Sequence, residues 1–456
     1  MRRVVLIAWL ASSGCFYAPT VADCAVACTE ACPAGLSCIE GLCRKSEQVT
    51  CECQTGRDRA CGINRGECRA GTQTCAAGAW GTCVGEVKGS VEVCDGFDND
   101  CDGLIDQLRP VVLYEGTSRE WRFFSLDAGF ALMTTEVTDA GDEATLVRRY
   151  GDAFEPIDVT TARVGPRAAS VEATALNSTV YLAWAWDGGL ELGAVTEGQL
   201  SAVEPVADAG EIFRVRLGVN EDRLVAHWDR KGLVSTRLGR WTLGGQLTDV
   251  TDFANLDAGY EIIDGYTPGL STRGNYAIYT ATAPVDGGFD GNLHVLIDTR
   301  TLQIVRLEAP YYQYEAVDSH LLELPNGAVT AVYTYVYPPS SWSGIYLNPD
   351  MVRLSTAQEL TVEEVKSNAL AWGSSDAVVD LQGRVSFVYM DNVARRLVLA
   401  RSVGMGALSS APTKRVQLAA EGFGIPRLGN PNAAGFLPLA WSDPSRITAR
   451  QVCPVR

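Results

Sequence analysis

Short segments of alternating apolar and polar residues fill the chain from residue 109 to its end. Clear examples are residues 179–186, 223–228, 328–337 and 384–389. Valine, tyrosine and threonine dominate these segments, and glycine, aspartate and asparagine separate them. A period of two places successive side chains on opposite faces of a strand, and β-branched and aromatic residues suit such surfaces. The pattern predicts a mainly β domain over residues 108–456.

An aromatic residue closes one strand in each of a series of units spaced by about 50 residues. These landmarks are Trp184, Trp228, Tyr279, Tyr333, Tyr389 and Trp441, with an earlier equivalent at residues 130–133. Such a period with several short strands is typical of a β-propeller. We predict about seven blades, with six blades or a β-sandwich as alternatives. The last unit lacks an outer strand, which residues 109–114 could supply.

The first fourteen residues have the pattern of a secretory signal peptide. Two arginines precede an apolar run over residues 4–11, which is too short to span a bilayer. The following Ser-Ser-Gly-Cys resembles a bacterial lipobox, so we predict that Cys15 is lipidated and residues 1–14 are removed. By resemblance to bacterial lipoproteins, Phe16 in place of aspartate implies the outer membrane. A secreted or periplasm-facing protein is the alternative.

The chain has 15 cysteines, and lipidation of Cys15 leaves 14, enough for seven disulfides in an oxidising compartment. They predict a disulfide-rich stalk made of a segment over residues 15–50 and a module over residues 51–107. The absence of histidine there disfavours zinc. Within the module we favour a local Cys94–Cys101 bond. Parity then predicts that Cys453 bonds back to the stalk.

The residues from Cys94 to Asp106 read C-D-G-F-D-N-D-C-D-G-L-I-D. From Asp98 onward the spacing is D-x-D-x-D-G-x-x-D, the opening of a calcium loop. Carboxylates at positions 1, 3 and 5 supply oxygen ligands, and glycine at position 6 permits a sharp bend. The sequence therefore predicts a calcium site whose ligands are Asp98, Asp100, Asp102, the Leu104 carbonyl and Asp106.

The calcium loop is incomplete at position 12, where Arg109 replaces the usual bidentate glutamate. Asp95 is the nearest carboxylate that could substitute for it. We expect a weak site, with a dissociation constant of roughly 10⁻⁴ to 10⁻³ M, as in extracellular modules. An acidic, solvated turn without an ion is the alternative.

The segments C-E-C-Q-T-G, G-E-C-R-A-G-T-Q-T-C and G-A-W-G-T-C precede this loop, and together they resemble the MopE-type metal-binding module of bacterial surface proteins. The matching positions are Cys61, Cys68, Gly71, Thr74, Cys75, Trp80, Gly81, Cys83, Cys94, Asp95, Gly96 and residues 98–103. The resemblance covers residues 51–107 and implies a surface location and metal binding, but not an enzyme. Gln107 stands where the family usually has glutamate.

The net charge of −17 excludes a nucleic-acid partner, because phosphate binding needs clustered lysine and arginine. The chain has no serine-hydrolase, zinc-protease or nucleotide-binding motif, and its three histidines fall in different units. We therefore predict that the protein is not an enzyme. The alternative is a secreted propeller hydrolase acting on carbohydrate, which would need two converging carboxylates.

One aromatic-rich stretch is a candidate ligand surface, comprising Tyr335, Tyr337, Trp342 and Tyr346. Exposed aromatic side chains stack on sugars or anchor protein partners, whereas buried ones would pack beneath an inserted loop. Taken together, the sequence predicts a lipid-anchored, outer-membrane surface protein with a calcium-type loop. Its propeller would bind a protein or carbohydrate.

Overall fold

The computed structural model describes residues 21–105, 108–230, 236–253, 271–285, 289–308, 315–325, 327–337, 342–348, 358–360, 370–391, 396–401, 414–418, 426–433 and 435–454. The chain divides into two compact units, Met1–Asp106 and Gln107–Arg456. No described residue lies in an α-helix, and the search of these residues for a membrane-spanning helix finds none.

The N-terminal unit contains only short strands, which form a two-stranded and a three-stranded antiparallel sheet. Its strands are β1 (Ser37–Ile39), β2 (Leu42–Arg44), β3 (Asp58–Cys61), β4 (Gly71–Ala76) and β5 (Ala79–Trp80). Sheets of this size bury little apolar surface, so covalent bonds must supply much of the stability. Six disulfides do so: Cys24–Cys51, Cys28–Cys38, Cys32–Cys43, Cys53–Cys75, Cys61–Cys83 and Cys68–Cys101.

The predicted Cys94–Cys101 bond is wrong, because Cys101 is bonded to Cys68. The reason is tertiary. The Glu67 amide donates to the Asp98 carbonyl over 3.0 Å, which brings the segment around Cys68 against the acidic loop. Cys94 and Cys453 are also disulfide-bonded. The bond from Cys453 to the stalk stays a prediction.

The C-terminal unit consists of antiparallel sheets in which strands adjacent in sequence are neighbours. The first sheet contains β7 (Trp121–Ser125), β8 (Phe130–Val137), β9 (Glu143–Tyr150) and β10 (Pro156–Gly165). The second contains β11 (Ser170–Leu176), β12 (Thr179–Thr196), β13 (Gln199–Val219), β14 (Arg223–Arg230), β15 (Thr236–Thr242) and β16 (Leu247–Phe253). The third contains β17 (Ser271–Arg273), β18 (Tyr276–Val285), β19 (Phe289–Asp298) and β20 (Gln303–Glu308).

Three more sheets complete this unit. The fourth contains β21 (Glu315–Glu323), β22 (Val329–Tyr337), β23 (Trp342–Asn348) and β24 (Gln358–Leu360). The fifth contains β25 (Leu370–Val379), β26 (Val385–Asp391), β27 (Arg396–Arg401) and β28 (Lys414–Leu418). The sixth contains β29 (Arg427–Leu428), β30 (Leu437–Asp443), β31 (Arg446–Val452) and, beside β31, β6 (Val111–Glu115).

The strand β6 closes the unit by joining its two chain ends. It pairs antiparallel with β31, with Tyr114 opposite Ile447. The expectation that residues 109–114 supply the outer strand of the last sheet is therefore confirmed in position, with the strand at Val111–Glu115. The edge of β31 thus gains a partner within the same chain, which protects its backbone groups from pairing elsewhere.

The first strands of the successive sheets, together with β13 of the second sheet, contact each other in a closed series. Its order is β7, β11, β13, β17, β21, β25 and β29, which returns to β7. A closed ring of antiparallel sheets is the architecture of a β-propeller, so the predicted fold class is confirmed. The number of blades stays a prediction, because the six-stranded sheet joins more than one group of strands through β12 and β13.

The long strand β12 folds back on itself. The hydroxyl oxygens of Thr179 and Thr196, at its two ends, lie 2.7 Å apart. An extended strand of this length would separate its ends by roughly 55 Å. The chain reverses near Gly188, whose φ of 109° lies where residues with side chains rarely occur. The six-stranded sheet therefore includes a hairpin within β12.

Four of the recurring aromatic residues are buried core residues. Trp184, Trp228, Tyr389 and Trp441 are all buried. Trp184 packs with Met133 and Val147 of the first sheet. The indole N–H of Trp228 donates to Asp208 Oδ2 over 2.7 Å, so its polar atom is paired as burial requires. The regular spacing of these aromatics thus reflects one buried position that recurs along the chain.

Candidate metal centre

Three carboxylates of the N-terminal unit come together in the acidic loop and the segment before it. Glu92, Asp98 and Asp100 each place a carboxylate oxygen within 4.8 Å of the other two. Glu92 is 1% exposed and Asp98 is 6% exposed. Asp98 Oδ1 is buried and has no hydrogen-bond partner. A buried anionic oxygen without a donor is costly unless a cation or a proton neutralises it.

Aspartate side chains of the loop accept hydrogen bonds from the loop's own backbone amides. Asp98 Oδ2 accepts a hydrogen bond from the Gly103 amide over 3.1 Å. Asp100 Oδ1 accepts from the Asp102 amide over 3.0 Å, and Asp102 Oδ1 accepts from the Leu104 amide over 2.8 Å. Gly103 has a φ of 98°, which fits the bend expected at this position. The chain therefore curls around the carboxylates at positions 1 and 3.

Neighbouring segments hold the loop from outside. The Cys68–Cys101 disulfide anchors it between the second and third aspartates. Arg65 Nη1 donates to the Asp102 carbonyl over 3.1 Å. Gly66 passes so close to Asp98 that a Cβ there would overlap the Asp98 carbonyl oxygen. Covalent, side-chain and backbone contacts from neighbouring segments thus help to set the loop geometry.

Glu92 is not among the ligands predicted from the sequence. Its Oε1 accepts from the Asn99 amide and its Oε2 from the Asp100 amide, each over 3.3 Å. Burial raises the pKa of Glu92, as do the charges of Asp100 and Asp98, while the two amide hydrogen bonds lower it. The missing glutamate at position 12 was the available signal that another carboxylate had to be sought.

The other predicted ligands do not join this cluster of three. Asp95 is exposed, and its carboxylate accepts from the Phe97 amide over 2.9 Å and from Asn99 Nδ2 over 3.1 Å. Asp102 and Leu104 lie in the loop but outside the cluster, and Asp106 lies outside the described residues. The cluster is therefore built from positions 1 and 3 of the loop and one residue before it. The ligand roles of Asp95, Asp102, Leu104 and Asp106 stay predictions.

The sulfur atoms of Cys28, Cys32 and Cys43 also lie close together. All three are consumed in disulfides, with Cys28 bonded to Cys38 and Cys32 to Cys43. Zinc binding by cysteine requires thiolates, so this group does not have the ligands of a zinc site.

Two further predicted sites fall partly or wholly outside the described residues. Cys15 lies outside them. Tyr335 and Tyr337 lie on β22, and Trp342 and Tyr346 lie on the adjacent β23, with Tyr337 opposite Trp342. The side chains of these four aromatics are outside the described part of the chain. The ligand surface stays a prediction.

Buried carboxylates of the first two propeller sheets are held by arginines. Arg122 Nε and Nη2 donate to the two oxygens of Glu172 over 2.6 and 2.9 Å. Arg119 binds both oxygens of Glu143 over 2.9 Å. Glu120 lies between these pairs, and its pKa is raised chiefly by burial. Glu172 and Glu143 are thus occupied by bidentate ion pairs, which suits a structural network better than a pair of hydrolytic carboxylates.

A second buried polar group lies on β13 and β14. Arg216 Nη1 lies 3.1 Å from His227 Nδ1 and 3.1 Å from Asp229 Oδ2. Burial lowers the pKa of His227 to about 4; Asp229 acts to raise it, and Arg216 and Arg214 act to lower it. His227 is therefore neutral at pH 7, and it packs inside the propeller as a strand histidine.

No family model matches this chain, and no curated protein matches it. Solved structures similar to it include the Kuenenia stuttgartiensis hydrazine synthase, with 10% identity, 73% of this chain and 94% of that chain covered, and a TM-score of 0.45. The Dos1 propeller has 7% identity over 76% and 95% of the two chains, with a TM-score of 0.45. The β-propeller domain of the Trilobed protease from Pyrococcus furiosus has 9% identity over 75% and 99%, with a TM-score of 0.41. Likeness at these identities concerns the fold alone.

Proposed function

We propose that this chain is a cell-surface lipoprotein with a calcium-binding N-terminal module and a propeller that binds a protein or carbohydrate ligand. The observation that carries the calcium site is the group of Glu92, Asp98 and Asp100 with the unpartnered, buried Asp98 Oδ1. Hard cations such as calcium prefer carboxylate and carbonyl oxygens, and the ligand atoms that this group offers are carboxylate oxygens. The role of the ion is structural, because it neutralises carboxylates that repel each other at close range.

Calcium is expected to stabilise the protein against unfolding. A ligand that binds only the folded state adds RT ln(1 + [L]/Kd), which is about 1.4 kcal/mol at millimolar calcium with a Kd near 10⁻⁴ M. Differential scanning calorimetry of the mature protein should show this added stability in the presence of calcium. The added stability should be lost in the presence of a chelator. Asp100→Ala should abolish it, whereas the exposed Glu52→Gln should preserve it. A wild-type melting curve that is indifferent to both calcium and chelator would refute the calcium site.

The lipid anchor predicts the form of the mature N-terminus. The Ser-Ser-Gly-Cys sequence and the odd cysteine count support lipidation of Cys15 with loss of residues 1–14. Mass spectrometry of the membrane fraction should find Cys15 as the first residue, carrying a diacylglyceryl group. Cys15→Ala should remove this modification. An unmodified N-terminus at another residue would contradict the anchor while leaving the calcium site untouched.

A further inference from the structure

We propose that Glu92 is a direct ligand of the bound cation and supplies the carboxylate that the loop lacks at position 12. This inference rests on the proposed calcium function and names a ligand outside the loop itself. Arg109, at position 12, has no oxygen on its side chain to offer. Glu92 lies six residues before Asp98, the first position of the calcium loop, in the segment that leads into the loop.

The spacing of the three carboxylates matches a single calcium ion. Calcium binds oxygens at about 2.3–2.6 Å, so two oxygens on the same ion lie no more than about 5 Å apart. One carboxylate oxygen from each of Glu92, Asp98 and Asp100 lies within 4.8 Å of the other two. One ion among them could therefore contact all three at ordinary calcium distances.

Backbone contacts place Glu92 at the loop. The Ser90 amide donates to the Asn99 carbonyl over 2.9 Å, and the Val93 amide donates to Asn99 Oδ1 over 3.2 Å. Gly89 also lies against the loop, since a Cβ there would be 2.7 Å from the Asp100 carbonyl oxygen. These contacts hold the segment that carries Glu92 against the loop, and the Asn99 and Asp100 amides bind its carboxylate.

The burial of Glu92 and Asp98 is the independent reason to expect a ligand. Both side chains are more than nine-tenths buried, and Asp98 Oδ1 has no donor. Removing carboxylates from water is unfavourable unless opposite charge compensates. The exposed Asp95, by contrast, uses its oxygens for a turn. The geometry therefore ranks Glu92 above Asp95 as a ligand.

Calcium titration calorimetry on four forms of the mature protein tests this assignment. The forms are the wild type, Glu92→Gln, Glu92→Asp and the control Glu67→Gln. Glu67 is exposed and lies in the segment beside the loop, so its substitution removes the same charge without removing a ligand. Glutamine at position 92 keeps an oxygen for one amide but loses the charge, while aspartate keeps the charge and shortens the reach.

We expect both Glu92 variants to lose about tenfold or more in calcium affinity, because ligand charge and reach set the strength of such sites. Glu67→Gln should lose less than about threefold, as an exposed charge is screened. Terbium luminescence lifetimes in light and heavy water should also show one or two extra bound waters in the Glu92 variants at saturation.

Each outcome decides the assignment. If the wild type binds calcium but both Glu92 variants match Glu67→Gln, Glu92 is not a ligand and the calcium function survives. If the wild type binds no calcium, the proposed function itself fails. Melting in chelator shows whether Glu92→Gln still folds. If it does not, Glu92→Asp and its terbium water count carry the test, and an unchanged count overturns the proposal.

Discussion

Lowering the pH from 7 to 4 is expected to cost the propeller about 3 kcal/mol of unfolding free energy through His227 alone. The folded-state pKa of His227 is about 4, below the ordinary 6.5, because its burial disfavours the charged form. A histidine with a depressed pKa contributes stability above its unfolded pKa. That stability is lost as the pH falls from about 6.5 towards 4, because the unfolded chain takes up the proton first.

The measurement is the free energy of unfolding in denaturant at several values between pH 7 and pH 4. His227→Asn should lower stability at pH 7, since it removes buried packing, but it should flatten the pH dependence by about 3 kcal/mol. The baseline cost and the slope are separate readouts. Burial acts to raise the pKa of Asp229, but Arg216, His227 and Arg214 lower it below its usual range. Equal slopes for the wild type and His227→Asn would show that folding does not lower the pKa of His227.

Removing Arg122 is expected to destabilise the propeller by about 3–5 kcal/mol, because Glu172 would be left as a buried, unpaired charge. Glu172 is 3% exposed; its carboxylate accepts two hydrogen bonds from Arg122 and a third, over 2.9 Å, from the Ala173 amide. Arg122 is on β7 and Glu172 on β11, so this ion pair joins the first and second sheets. Arg122→Met keeps most of the side-chain volume and isolates the loss of charge.

The double variant Arg122→Met with Glu172→Gln is the matched control. It removes both charges, so it should recover a large part of the stability lost in Arg122→Met. Thermal or denaturant unfolding of the wild type, each single variant and the double variant gives the coupling. If Arg122→Met is no less stable than the double variant, Glu172 is not left uncompensated and the pair does not support the interface.

Most of the propeller could be predicted because its signals are local. Alternation of apolar and polar residues marks a strand wherever it occurs, and Trp184, Trp228, Tyr389 and Trp441 recur because each fills a buried position. The unpaired last strand likewise indicated that a segment near residue 110 had to close the ring, and β6 does so. The predicted strand over residues 179–186 ends before Asp187, and the structure likewise reverses near Gly188, within β12.

The candidate site was predictable only in part. Asp98, Asp100 and Gly103 follow from the spacing of the loop, because a loop that curls around an ion uses residues close in sequence. Glu92 comes from outside that spacing and reaches the cluster through the contacts of Ser90 and Val93 with Asn99. Asp95 was a reasonable substitute on sequence distance, yet its carboxylate is committed to the turn at Phe97.

The sequence by itself determined the strand periodicity, the cysteine-rich stalk and the position of the acidic loop, because each depends on neighbouring residues. Only the tertiary structure decided that Cys101 bonds to Cys68, that Glu92 joins Asp98 and Asp100, and that Arg216 lies against His227. The physical reason is that burial and pairing of charges and sulfurs depend on which distant segments meet. In this chain, backbone hydrogen bonds such as that from Glu67 to Asp98 hold distant segments against each other.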